Sequence, residues 1–161
     1  MTEKRDLLYE EAIEELKSYG ITGAQIYLID LIPLIEMIWA DGKAQDAEVS
    51  LLADYLKKHV EHINDMAGYN ALNLDDSKAF VAKFLQKRPA PQLMATLRSF
   101  IAPVRLKSSD PVKCAELKES LLAVCLDIAS SSVIEYPYGL NERFTPEEKR
   151  CFFEILKSLS D

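Results

Sequence analysis

Apolar positions recur at intervals of three and four along almost the whole chain, the spacing of helices that each bury one face. Leu8, Ala12, Leu16 and Tyr19 line a first helix that stops near Gly20. Residues 23–40 are apolar on nearly every side, the pattern of a central helix. Pro33 lies inside that run and predicts a kink or a break, because it lacks an N–H and its ring crowds the preceding turn. Val49, Leu52, Leu56, Val60 and Ile63 stripe a third helix over 46–64, which leaves through Asp65-Met66-Ala67-Gly68. Asp75-Asp76-Ser77 offers an N-cap for a short helix carrying Phe80, Val81, Phe84 and Leu85. Arg88-Pro89-Ala90-Pro91 breaks the chain, and Leu93, Leu97, Phe100, Ile101 and Val104 predict one further helix. Asp110-Pro111 pairs a cap with Pro at the first helical position and opens a long helix through Cys114, Leu117, Leu121, Val124 and Ile128. Thr145-Pro146-Glu147-Glu148 is a capping box for the last helix, in which Phe152, Ile155, Leu156 and Leu159 face inward. No stretch alternates with period two for long enough to make a strand. The pattern predicts an all-α fold of about seven helices in a single compact bundle, one domain over residues 1–161.

A degenerate repeat runs through this pattern. An apolar run ends in Trp39-Ala40-Asp41-Gly42, a short polar turn follows, and Glu48 stands at the start of the next helix. Gly42 supplies the backbone freedom that a helix end uses. Placing Glu48 over Glu148 puts Gln45 over Thr145, Leu52 over Phe152 and Leu56 over Leu156. Two helix-loop-helix halves around the central apolar helix are therefore expected. The second half departs from the first, with Ser130 and Ser131 where Ala-Asp-Gly would fall.

At 161 residues the chain is long enough for a sizeable core. Its 48% apolar and 28% charged residues argue for a folded globule and against disorder. A net charge of −7 without a Lys/Arg cluster makes a poor nucleic-acid binder and suits cations or basic protein surfaces. The greasiest run, 26–40, is short for a membrane span and holds Asp30, Pro33 and Glu36, so no transmembrane segment is expected. The charged N-terminus has no signal-peptide pattern. Cys114, Cys125 and Cys151 form no metal-ligand spacing and no disulfide framework. Cys114 and Cys125 would stand roughly 16 Å apart on one helix, and reduced, buried thiols in a cytoplasmic protein are the plain reading.

Candidate chemistry is sparse. Asp41, Asp46 and Glu48 crowd one turn, where carboxylate oxygens can hold a divalent cation. The twelfth position counted from Asp41 is Leu52, so this is not an EF-hand. The plainer reading of the same residues is structural, with Asp41 bonding loop amides and Asp46 and Glu48 favouring the dipole of the next helix. His59 and His62 are three apart without a third ligand nearby, which reads as a helix-surface pair. No phosphate loop, nucleophile elbow or HExxH occurs, and nothing marks an enzyme. The stretch Val133-Ile134-Glu135-Tyr136-Pro137-Tyr138-Gly139 is an insertion relative to the first half. Tyr136 and Tyr138 there either contact a protein partner or fold back over the core.

Leu31-Ile32-Pro33-Leu34-Ile35-Glu36, running into Trp39-Ala40-Asp41-Gly42 with Glu48 beyond, resembles the TerB-like tellurite-resistance family. The resemblance covers most of the chain, with its sharp part at residues 40–48. It implies a bacterial, intracellular, all-α protein associated with tellurite and general stress resistance, sometimes near membrane complexes. It also implies Asp41 and Glu48 as the contacts for a divalent cation, the one cofactor in view. The alternative is a protein–protein interaction module without metal.

Overall fold

The fold, a computed structural model, is described for residues 2–40, 42, 46–106, 111–131, 134–135, 141–142 and 146–160. Each of the seven expected helical segments is present, and two of them are broken at prolines. The apolar run divides into a 3-10 helix, η1 (Gly23–Leu31), and α2 (Ile32–Trp39), with Pro33 in the first turn of α2. There the missing N–H would have had no partner in any case. The helix expected through Leu93 and Val104 is likewise two, α5 (Pro91–Ser99) and α6 (Ile101–Arg105). Pro103 explains the break, since its ring would meet the Ser99 carbonyl if the helix continued. The remaining helices are α1 (Thr2–Ser18), α3 (Asp46–Ala67), α4 (Leu74–Leu85), α7 (Pro111–Ser131) and α8 (Pro146–Ser160). A two-residue antiparallel pairing, β1 (Ile134–Glu135) with β2 (Asn141–Glu142), closes the base of the inserted loop.

The bundle is built around α2. Every one of Ile32, Leu34, Ile35, Met37 and Ile38 is fully buried, and α2 packs on η1, α3, α5, α7 and α8. One buried cluster runs from Ala12 and Leu16 of α1 through η1 and α2 to Ile155 and Leu159 of α8. Among the described residues no single helix is long and apolar enough to cross a membrane. The two halves match at one telling position. Glu48 and Glu148, third residues of α3 and α8, are both fully buried.

Two helix boundaries are fixed by single residues. Asn73, not the Asp75-Asp76 pair, caps α4, its side chain accepting from the Asp76 amide at 3.1 Å. Asn64 holds the preceding loop by exchanging two hydrogen bonds with the Leu72 backbone, at 2.8 and 3.0 Å. After α2, Gly42 donates its amide to the Trp39 carbonyl at 2.8 Å with φ +86°. A side chain at Gly42 would have room, its first carbon lying 3.6 Å from Arg88 Nη1. The strain would be in the backbone alone. Gly42→Ala is therefore expected to lower stability by about 1–2 kcal/mol, read as a shift in urea midpoint. An unchanged midpoint would mean that the turn relaxes away from positive φ. The caps expected at Asp110 and Thr145 lie outside the described residues.

Candidate functional site

Ionisable residues inside the apolar η1–α2 segment organise two sites. The inner one centres on Asp30, which is fully buried. Arg105 of α6 reaches it through Nε, 3.0 and 3.2 Å from the two carboxylate oxygens. His59 of α3 lies with Nε2 3.5 Å from Asp30 Oδ2 and donates to the Tyr27 carbonyl at 2.9 Å. Aromatic faces complete the arrangement. The Arg105 guanidinium covers the Tyr27 ring at 4.7 Å, and Tyr55 stacks on His59 at 5.7 Å. Burial raises the Asp30 carboxyl above its usual range, with Arg105 and His59 pulling it back. Burial also pushes the Tyr55 hydroxyl up to about 12. The cluster ties together η1, α3 and α6. His59, expected beside His62 on a helix surface, is instead an interior residue at 5% exposure, while His62 is exposed.

The outer site is a cleft of about 390 Å³ between α2, α5 and α8, bordered by the α4–α5 connection. Its apolar lining comes from Trp39, Pro89, Pro91, Met94 and Ala95. Trp39 is fixed by an indole N–H bond to the Phe84 carbonyl at 2.8 Å. The polar wall is an ion pair, Arg98 Nη1 to Glu36 Oε2 at 2.7 Å, with both side chains nearly buried. The pair is singly bonded. Arg98 Nε and Glu36 Oε1 are both buried, and neither has a hydrogen-bond partner among the described residues. Buried polar atoms are rarely left so, because an unmade bond forfeits the hydration that burial removed. Burial raises Glu36 to about 7, opposed by Arg98 and assisted by the Glu154 carboxylate. Arg88, Arg150, Glu147 and Glu154 are exposed around this cleft.

Cys151 also lines the cleft. Its thiol is pushed up to about 12, first by burial and then by Glu36, and Cys125 is raised by burial too. A thiol held this firmly in its protonated form is a poor nucleophile at neutral pH.

The sequence-derived residues fall differently. Glu48 points into the interior, while Asp46 is exposed. Two residues apart on a helix point to nearly opposite sides, so these carboxylates do not converge. Asp41, Tyr136 and Tyr138 lie outside the described residues. Among the described residues no three His, Cys, Asp or Glu side chains are grouped as metal ligands. The cleft itself was not anticipated. Its sequence signal was Glu36, an ionisable residue in an otherwise apolar helix. No protein-family model, curated protein or solved structure matches the chain.

Proposed function

We propose that this chain is a non-catalytic binding protein, in keeping with the TerB-like stress-resistance role suggested by Ala40-Asp41-Gly42 and Glu48, and that its binding face is the cleft between α2, α5 and α8. The observation that carries this reading is Arg98. It is only 9% exposed, it lines the cleft, and its Nε has no acceptor among the described residues. A concave, largely apolar site with a few convergent polar groups is the usual form of a ligand pocket. The protonated Cys151 thiol supports binding rather than chemistry there. Amide-shift mapping of the labelled chain against a mixed set of short peptides and small carboxylates and amines tests the reading. Shifts should cluster at Trp39, Met94, Ala95 and Cys151. Shifts confined to another face, or none, would remove the cleft from consideration.

Cation association at the acidic turn is tested separately. Arg88 already places a positive charge beside Gly42, and Asp46 and Glu48 diverge. Millimolar calcium or magnesium is therefore expected to leave the melting temperature of the chain unchanged. A rise that is lost in Asp41→Asn would restore a cation site, because a ligand bound only to the folded state must stabilise it.

A further inference from the structure

We propose that the cleft takes the C-terminal end of a polypeptide, with the terminal carboxylate at Arg98 and Arg150 and the last, apolar side chain against Trp39 and Met94. This rests on the reading of the cleft as the binding face. Four observations select that ligand.

The first is the pair of unmatched atoms. Among the described residues Arg98 Nε has no acceptor, and Glu36 Oε1, which takes a donor when the carboxyl is ionised, has no partner either. The last residue of a peptide carries both, a carboxylate and, two bonds along the main chain, an amide N–H. The second is the geometry of the guanidinium. Arg98 spends Nη1 on Glu36, and the planar fork that remains suits a planar carboxylate.

The third observation is the charge of the lining. Arg88, Arg98 and Arg150 are matched by Glu36, Glu147 and Glu154. A multiply charged polyanion would meet these carboxylates, whereas a single carboxylate can sit on the arginine side. Neither Arg88 nor Arg150 forms an ion pair or hydrogen bond among the described residues, so both guanidinium groups are open to it. The fourth is size. A cleft of about 390 Å³ is at the small end of ligand sites. It accommodates a chain end, not a helix or a folded surface. Capture of a terminal carboxylate is an established mode of peptide recognition.

The test titrates acetyl-Ala-Leu with a free carboxylate, its carboxamide, and free leucine into the full chain. Trp39 is the single tryptophan of the chain, so its fluorescence reports the cleft directly, and amide shifts confirm the location. The free acid should saturate the Trp39 signal. The carboxamide should bind at least about tenfold more weakly, because it forfeits a charge-assisted bond. Free leucine presents an ammonium at the same nitrogen, so it serves as the free amino-acid control, and it should be weaker because it lacks the preceding peptide unit that the cleft would also cover. Arg150→Gln should weaken the acid by about tenfold and leave the carboxamide unchanged. Arg150 is exposed, so this variant should fold whatever becomes of Arg98→Lys, whose circular dichroism is checked alongside. Equal binding of acid and carboxamide would overturn the carboxylate assignment while leaving the cleft a binding face. Equal binding of leucine would overturn the peptide assignment. No Trp39 change with any of the three up to about 10 mM would overturn the proposal. The cleft reading itself falls only if the mixed-set mapping also leaves these residues unmoved.

Discussion

Replacing Asp30 with alanine is expected to destabilise the fold by about 3–5 kcal/mol, the range for breaking a buried ion pair from one side. The reason is what remains behind. Arg105 would keep a positive charge with no carboxylate, over the Tyr27 ring at 4.7 Å, and the Nε that now serves both Asp30 oxygens would have no acceptor. His59 would keep its bond to the Tyr27 carbonyl but lose its neighbouring charge. A space would also open in a fully buried part of η1. Urea unfolding of the two proteins at one pH measures the difference. The double variant Asp30→Leu with Arg105→Met separates charge from volume. It should recover a large part of the loss, because an apolar replacement of both partners is often close to neutral. A loss below about 1 kcal/mol in Asp30→Ala would mean that the cluster is not a fastening between η1, α3 and α6.

Most of the helical architecture could be read along the chain, because it depends on local period and on proline. Pro33 marked the junction of η1 and α2, and the all-round apolar character of residues 26–38 marked the centre of the bundle. Pro103 carried the same kind of signal for the break at Ser99 and Phe100, but the apolar spacing across it masked the interruption. Helix starts were less legible where several capping side chains compete. Asn73, Asp75, Asp76 and Ser77 lie within five positions, and the Asn73 oxygen forms the cap. The polar sites were legible from one side only. Asp30 and Glu36 stand out as carboxyls in an apolar run, yet their partners Arg105 and Arg98 are 75 and 62 residues away. No local pattern links such pairs. The acidic turn misled through proximity in sequence, since Asp46 and Glu48 are separated by more than half a helical turn and face opposite environments.

Glu36 should give the protein a measurable pH dependence. Its ordinary value is 4.5, and in the folded chain it is about 7, so the folded state holds this proton more tightly than the unfolded one. The contribution is fully present below pH 4.5 and is lost as the pH rises through about 7. Across that window it amounts to on the order of 3 kcal/mol. Asp30 acts in the same direction, being raised from 3.8 by burial. The groups facing Glu36 leave its share visible. Arg98 of α5, and Arg88 and Arg150 at the cleft, are the same in both proteins. Cys151 of α8 and Cys125 of α7 stay protonated because both are raised. Glu147 and Glu154 of α8 are common to both proteins in the comparison. Glu36→Gln keeps the shape and removes the proton. The stability of the native chain minus that of this variant should therefore fall by on the order of 3 kcal/mol between pH 4.5 and 7.5. Because only the difference is read, other carboxyls that titrate in both proteins cancel. A difference that stays constant over this range would mean that Glu36 is ionised throughout, held by Arg98 despite its burial. A fall centred near pH 7 would show instead that the cleft carries a carboxyl poised to change its charge under ordinary conditions. Such a group would couple any carboxylate bound at Arg98 to the uptake of a proton, because a second negative charge beside Glu36 raises its affinity for that proton further.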